Sequence, residues 1–229
     1  RDMIYAFVDT NIFVRIASQG RPGCELTHFE SLKTLVQSRA VTLLVPEVLL
    51  LEVEKKFRTI PAEIESHCDK LADSIRKATE SVWSEIESIK LQLIEHTVSS
   101  KQLLKKQWAD AASDILGLLN SPQVELIPFT QEVWLSAKKR LIAGRMPDPK
   151  KTSDQDAALI ESLASYFRKI EKPLFYFCSE NSRDFAVECS PKNKQRIFAL
   201  HPLLTNSLPP TRYCIDLADL LSFAQGYEE

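Results

Sequence analysis

The chain has 229 residues, of which 44% are hydrophobic, a content that is typical of a globular protein and argues against disorder. Its formal net charge is −2, so the chain is not basic overall and any surface for an acidic partner must be local. Five scattered cysteines without a C-x-x-C pair argue against a zinc ribbon and indicate a reducing, cytoplasmic setting.

The first part of the chain alternates between apolar strands and helices. Apolar runs at residues 4–8 and 41–45 predict two strands that are buried on both faces. A capping-box pattern at residues 27–30 predicts the start of a helix between them, and a further helix is expected from about Glu47. This β-α-β-α order predicts a parallel sheet with right-handed crossovers.

A long helical segment follows the second strand. Apolar residues recur at three- or four-residue steps from about residue 62 to residue 96, and a second helix is predicted at residues 103–119. We interpret the pair as a helical insertion at about residues 61–120 within a single domain that spans residues 1–229. Two roles are open for it, packing onto the domain's own core or binding a partner.

The alternation of strand and helix resumes after the insertion. A strand is predicted at residues 124–127, and Thr130 is a candidate N-cap of a helix that runs to about residue 143. A loop with two prolines follows, and Ser153 then begins another helix. The remaining predicted elements are strands at residues 174–178 and 197–200 and a helix at residues 217–223.

Three acidic residues stand at positions that call for an explanation. Asp9 ends the first strand and Asp184 lies shortly after the strand at residues 174–178, so both are expected at the edge of the sheet where α/β folds bind ligands. Glu52 interrupts the apolar run VLLLEV, where an unpaired carboxylate is costly to bury. Taken singly, a solvent-exposed Glu52 and a polar loop at Asp184 are sufficient explanations.

A fourth acidic position opens a helix. Ser153 and Asp156 form a capping-box pattern, and Asp154 lies between them. Acids are also favoured at the positive end of a helix. Capping is therefore a sufficient explanation for either acid alone, and only the four positions together favour a shared site.

Four blocks of the sequence resemble the PIN family. They are Phe7-Val8-Asp9-Thr10-Asn11, Pro46-x-Val48-x-x-x-Glu52, Asp156-Ala157-Ala158-Leu159-Ile160-Glu161 and Ser179-x-Asn181-x-x-Asp184-Phe185. With His201-Pro202-Leu203 soon after, they are most similar to a bacterial PIN-like subgroup that carries a long helical insertion. The resemblance covers residues 4 to about 204. It implies an α/β, PIN-like three-layer fold with a central, mainly parallel sheet.

The resemblance also implies a divalent-metal-dependent endonuclease, most often an endoribonuclease, that hydrolyses phosphodiester bonds. The catalytic and metal-binding residues that it implies are Asp9, Glu52, Asp156 and Asp184, with Asp154 as the alternative third acid. The supporting residues that it implies are Thr10, Asn11, Asp154, Ser179 and Asn181. Carboxylates without a histidine or cysteine cluster suit Mg²⁺ or Mn²⁺ and not zinc. Clustered carboxylates repel one another, which predicts raised pKa values in the absence of metal.

Nucleic-acid phosphates require local positive charge. The candidate substrate-binding residues are Arg145, Lys150 and Lys151 before the third block and Arg183, Lys192, Lys194 and Arg196 near the fourth. Solvated surface charge is the alternative explanation for each. No apolar run approaches the roughly 20 residues of a membrane span. The resemblance implies nucleic acid as the partner, with RNA favoured, and a regulatory protein is a further possibility.

Four other functions compete with an unregulated nuclease. A PIN-fold module that binds nucleic acid or protein without cutting is the main alternative, and a toxin-like nuclease that a partner silences is another. An aspartyl phosphotransferase is disfavoured because the position two residues after Asp9 is Asn11 rather than aspartate. A P-loop NTPase is disfavoured because the sequence lacks G-x-x-x-x-G-K-[ST].

Overall fold

The fold is described from a computed structural model that covers residues 4–18, 23–78, 87–146, 153–170, 173–189 and 197–225. The elements are, in chain order, β1 (Ile4–Val8), α1 (Thr10–Ala17), α2 (Leu26–Gln37), β2 (Val41–Pro46), α3 (Glu47–Ala78), α4 (Glu87–Leu119), β3 (Glu125–Ile127), α5 (Gln131–Ile142), α6 (Asp154–Phe167), β4 (Leu174–Cys178), α7 (Ser182–Phe185), β5 (Ala186–Cys189), β6 (Ile197–Leu200), α8 (Pro202–Thr205), β7 (Thr211–Cys214) and α9 (Leu217–Gln225).

The central sheet has five parallel strands in the order β3-β2-β1-β4-β7, with helices around it. β1 lies in the middle and pairs with β2 on one side and with β4 on the other. All five residues of β1 are buried, which explains its uninterrupted apolar sequence. The predicted α/β fold with a central parallel sheet and a helical insertion is confirmed. Because the strands are parallel, the segments that follow β1 and β4 meet at one edge.

The insertion is a hairpin of two long helices, α3 and α4, that pack against each other. α3 runs without a break from Glu47 through Pro61 to Ala78, so the helix expected from Glu47 and the helical segment expected from about residue 62 are parts of one helix. α4 extends without a break from Glu87, so the separate start expected at residue 103 is wrong. Lys101 Nζ joins the two helices through Oδ1 of Asp69 at 2.9 Å and Oε1 of Glu65 at 3.1 Å.

The base of the hairpin belongs to the core of the domain. Trp108 is 2% exposed, its ring packs edge-on against Phe57 at 5.3 Å, and its indole Nε1 donates to the Phe57 carbonyl oxygen at 3.4 Å. Farther out, α4 exposes large apolar side chains such as Leu91 and Leu103. A partner-binding role for the hairpin stays a prediction. In the described parts of the chain, we find no helix with the length and apolarity that crossing a membrane requires.

Several short elements were not predicted or are placed differently. α2 begins at Leu26 after Glu25, without a side-chain cap, so the capping box expected at residues 27–30 is wrong. The predicted strand at Ile197–Leu200 pairs with β5 in a separate antiparallel sheet. The edge of the central sheet beside β4 is occupied by β7. Its four residues, TRYC, are too few to show the alternation of apolar and polar residues that predicts a strand.

Candidate active site

Asp9 lies directly after β1 and caps α1. Its Oδ1 accepts a hydrogen bond from the Thr10 backbone N at 2.7 Å, and its Oδ2 accepts one from the Ser179 hydroxyl at 2.5 Å. The Asp9 backbone N donates to the Cys178 carbonyl oxygen at the end of β4. The side chain is buried, at 8% exposure. Both carboxylate oxygens are therefore fixed in direction at the edge of the sheet.

Ser179 connects Asp9 to the neighbouring loop and to β7. The serine is completely buried, and its hydroxyl oxygen accepts from the Asn181 backbone N at 3.0 Å and from Asn11 Nδ2 at 3.4 Å. The Tyr213 hydroxyl donates to the Ser179 carbonyl oxygen at 2.6 Å. Sequence reasoning missed Tyr213, because nothing in the isolated strand TRYC marks it as part of a site.

Glu52 and Asp156 contribute to the electrostatics around Asp9. Burial raises the pKa of Asp9 to about 7, with smaller upward contributions from the charges of Glu52 and Asp156 and downward ones from its two hydrogen bonds. Burial also raises the pKa of Glu52, and Asp156 adds to that rise. The predicted upward shifts are thus found at Asp9 and Glu52. Their main cause is desolvation rather than the expected mutual repulsion.

The two acids at the start of α6 have different neighbours. Asp156 completes the predicted capping box, since its Oδ2 accepts from the Ser153 backbone N at 3.0 Å and from the Ser153 hydroxyl at 2.8 Å. Asp154 instead forms an ion pair with Lys138 of α5 at 2.6 Å. Asp156 is the acid whose charge reaches Asp9 and Glu52.

Asp184 joins the network through Asn181. Its Oδ2 accepts from Asn181 Nδ2 at 2.5 Å, and the backbone N of Asn181 donates to the Ser179 hydroxyl oxygen. Asp184 is therefore linked to Asp9 by two intervening residues. Among the residues that the structure describes, no three histidine, cysteine or acidic side chains lie close enough to hold a metal ion together.

Two buried oxygen atoms beside the acids lack hydrogen-bond partners in the described structure, Oγ1 of Thr10 and Oδ1 of Asn11. The Thr10 hydroxyl lowers the pKa of Glu52 somewhat, yet it does not meet hydrogen-bond geometry with any group. Buried oxygen atoms without a protein partner are rare, and a water or a hydrated cation would satisfy them. Mg²⁺ keeps several waters and binds through one or two carboxylates, so an open set of oxygen atoms fits it.

A cavity of about 340 Å³ opens onto this group of residues and is lined by Thr10, Asn11 and Glu52. Its wall also contains Arg15, which forms an ion pair with Glu180, and Lys56, whose charge lowers the pKa of Glu52. Sequence reasoning did not single out these two cations. Arg15 follows Asn11, and Lys56 follows Glu52, by one helical turn, and that spacing was the available signal.

The comparison with protein families agrees with this arrangement. A family model described as PIN domain matches residues 6–185, which include Asp9, Glu52, Asp156 and Asp184. The chain belongs to the PIN-domain family. PIN domains are generally nucleases and generally bind nucleic acid. No curated protein and no solved structure matches this PIN domain.

The basic candidates of this PIN domain fall in different places. Arg183 is exposed on α7, directly before Asp184. Arg145 follows α5 and lines a different cavity from the one beside Glu52. Lys150, Lys151, Lys192, Lys194 and Arg196 lie outside the described residues.

An apolar recess of about 200 Å³ lies where α3, α5 and α6 begin. Its walls include Leu51 and Gln155, the residues directly before Glu52 and Asp156. Trp134, 37% exposed, also lines the recess, and its ring lies edge-on to Phe129 at 6.1 Å. The PIN domain thus presents an accessible aromatic ring in a recess that Asp154 also lines, at the start of α6.

Proposed function

We propose that this PIN domain is a divalent-metal-dependent endonuclease that hydrolyses phosphodiester bonds, with RNA as its preferred substrate. The observation that supports the proposal most directly is the buried carboxyl group of Asp9, whose pKa is raised to about 7 within the field of Glu52 and Asp156. A bound cation would compensate this unfavourable concentration of negative charge.

Asp9, Glu52, Asp156 and Asp184 are the proposed residues for holding Mg²⁺ or Mn²⁺. Such an ion would supply charge neutralisation at the scissile phosphate and a water of lowered pKa. The Ser179 hydroxyl and the Thr10 backbone N fix the direction of the Asp9 carboxylate. Asn181 does the same for Asp184 through its hydrogen bond of 2.5 Å.

Asp154 has a supporting rather than a ligating role in this proposal. Its carboxylate is already neutralised by Lys138 at 2.6 Å. The Lys138 ammonium also lies over the Trp134 ring, 4.5 Å from the ring centroid. Asp154 would therefore hold Lys138 over the Trp134 ring at the start of α6.

The recess at Trp134 supports a single-stranded substrate. Unpaired bases stack on exposed aromatic rings, whereas bases within a duplex are not available to do so. The proposal of RNA over DNA rests on the family resemblance of the four motif blocks. Arg183, Lys150 and Lys151 are the proposed contacts to phosphates near the cut.

The test is a cleavage assay on a fluorescent single-stranded RNA and on DNA of the same sequence, each with Mg²⁺, Mn²⁺ or EDTA. Asp9→Asn and Glu52→Gln are expected to lower the rate by at least about 100-fold, since each removes a proposed metal ligand. Glu63→Gln is the matched control, because Glu63 lines the same cavity without belonging to the four acids. Cleavage that persists in EDTA and in Asp9→Asn would disprove the proposal. Equal cleavage of DNA would disprove only the RNA preference.

A PIN-fold module that binds nucleic acid without cutting it is the second candidate. The observation that favours it is that, in the described residues, the four acids do not converge on one metal-sized site. A non-cleaving module should bind the single-stranded RNA of the cleavage assay with the same affinity in the wild-type protein and in Glu52→Gln. This candidate also predicts no metal-dependent cleavage by either protein.

A further inference from the structure

A second cavity, of about 590 Å³, lies between α5, α6 and the segment after α8. Its charged lining residues are four cations and one carboxylate: Lys139, Arg140, Arg145, Arg168 and Glu161. Asn206 and Ser207 supply polar groups on the third side. The described wall of this cavity therefore carries an excess of three positive charges.

A buried ion pair builds one wall of this cavity. Arg140 is only 6% exposed, and its Nε donates to Oε1 of Glu161 at 2.7 Å. Its Nη2 donates to the Ser207 hydroxyl at 2.6 Å, and its Nη1 donates to the Arg145 carbonyl oxygen at 3.3 Å. Arg140 thereby joins α5 to α6 and to the segment after α8. Its guanidinium group also neutralises the carboxylate of Glu161.

The other three cations have little opposing charge. Neither Lys139 nor Arg145 forms an ion pair with any described residue, and both are exposed. The Arg168 side chain is 68% exposed and reaches Glu161 only at 3.9 Å. One ammonium and two guanidinium groups that share a cavity match the oxygen atoms of phosphate, which arginine binds in a bidentate manner.

This cavity is separate from the acids. It shares no lining residue with the cavity beside Glu52. Arg168 follows Asp156 by twelve positions along α6 and its C-cap, which corresponds to about 18 Å at the rise of an α-helix. A phosphate bound beside Arg168 is therefore not the phosphate that meets the carboxylates.

We infer that this cavity is a binding site for a ligand that carries two or more phosphate groups. Its volume exceeds the space of a single phosphate, and its cations come from α5, from the residues that follow α5 and from the end of α6, which suits a ligand with more than one phosphate. The described lining contains no aromatic ring, so recognition is through phosphates rather than a base. The inference does not depend on cleavage at the acidic site.

The test measures binding of inorganic pyrophosphate by isothermal titration calorimetry at constant ionic strength and without divalent metal. The wild-type protein should bind pyrophosphate more tightly than inorganic phosphate. Lys139→Ala/Arg168→Ala should weaken pyrophosphate binding by at least about tenfold, because two of the cations are lost. Lys106→Ala/Lys169→Ala is the matched control, since it removes two exposed charges outside the cavity and should change the affinity less than about threefold.

Absence of pyrophosphate binding would overturn the inference, as would an equal loss in the control variant, because the effect would then come from overall charge. Single Lys139→Ala keeps the test valid if the double variant is unstable, since the Lys139 side chain is exposed. These outcomes do not depend on whether the protein cleaves RNA. A result that disproves the phosphate site is therefore distinguishable from one that disproves the nuclease proposal.

The source of the phosphate groups is distinguished by a single-stranded oligonucleotide in the Asp9→Asn background. If pyrophosphate competes with the oligonucleotide and Lys139→Ala/Arg168→Ala weakens both, the site holds a nucleic-acid backbone. If pyrophosphate binds without competing, the site holds a free phosphorylated ligand. Both outcomes support a phosphate site.

Discussion

The hydroxyl of Ser179 donates a hydrogen bond of 2.5 Å to Oδ2 of Asp9 across a sequence separation of 170 residues. The contact exists because β1 and β4 are adjacent parallel strands, so the residues that follow them meet at the same edge. Its effect opposes that of burial, because the hydrogen bond lowers the pKa of Asp9 while desolvation raises it. The orientation and the protonation of Asp9 therefore both depend on Ser179.

Ser179→Ala should impair the proposed metal site and the stability of the fold together. Removing the hydroxyl takes away a group that stabilises the carboxylate form, so the pKa of Asp9 should rise above about 7. The rising limb of the pH–rate profile for cleavage should then move to higher pH. Loss of the buried hydrogen bonds should lower the free energy of unfolding by about 1–3 kcal/mol. Ser182→Ala on α7 is the control. If Ser179→Ala and Ser182→Ala have the same pH–rate profile, Ser179 does not influence the pKa of Asp9.

Asp9→Asn should stabilise the metal-free protein at neutral and alkaline pH. The folded protein holds the Asp9 proton up to about pH 7, whereas the unfolded chain releases it near 3.8. The folded state therefore binds more protons between these values, and stability is lost as the pH rises through that range. The charge of Asp9 should cost up to about 4 kcal/mol at pH 8, which the amide avoids.

Urea unfolding of the wild-type protein and of Asp9→Asn in EDTA, at pH 4 and pH 8, measures this effect. The difference between the two proteins should be largest at pH 8 and small at pH 4. Adding Mn²⁺ at pH 8 should stabilise the wild-type protein more than the variant. A variant that is less stable than the wild-type protein at pH 8 in EDTA would contradict the high pKa of Asp9.

Breaking the buried pair of Arg140 and Glu161 should destabilise the fold. The two side chains lie 2.7 Å apart, so Arg140→Met or Glu161→Leu alone would leave the remaining charge buried without its partner. Each single variant should lower the free energy of unfolding by about 3–5 kcal/mol. Arg140→Met/Glu161→Leu should recover part of that loss, because no buried charge remains. Unfolding free energies of the two single variants and the double variant form the cycle, and strictly additive losses would show that the two charges are not coupled.

Trp134→Ala should weaken binding of single-stranded RNA by about 5- to 100-fold, as expected for the loss of one stacking contact. Trp134→Phe should retain most of the affinity, since an aromatic ring remains. Leu135→Ala is the control, because Leu135 is the next residue of α5 and is 50% exposed. Fluorescence anisotropy with Mg²⁺ replaced by EDTA measures binding without cleavage. An unchanged affinity in Trp134→Ala would show that the recess does not bind the RNA.

The sequence was most informative where a residue's local setting already specifies its environment. The run at Ile4–Val8 has the continuous apolar character of a strand buried on both faces, and Asp9 follows it directly. Ser153 and Asp156 formed the predicted capping box because that motif needs only four consecutive residues. Helix boundaries were less reliable, as in α4, where a gap was expected between residues 96 and 103 but the helix runs unbroken from Glu87 to Leu119 and packs against α3.

Contacts between distant residues were not predictable in the same way. The Tyr213 hydroxyl reaches Ser179 only because β7 occupies the edge beside β4. Arg145 was expected near the substrate phosphates, but it shares its cavity with Arg168 rather than with Glu52. Both placements depend on which strands and helices become neighbours.

The sequence by itself determined the α/β class, the strands before Asp9 and Ser179, and the four acidic positions, since these follow from local patterns of apolar and polar residues. The tertiary structure alone decided that Asp9 is buried, that Glu52 and Asp156 act on its pKa, and that hydrogen bonds through Asn181 and Ser179 link Asp184 to it. The physical reason is that desolvation and charge interactions depend on distances through space, which strand order and helix packing set and which a linear pattern does not contain.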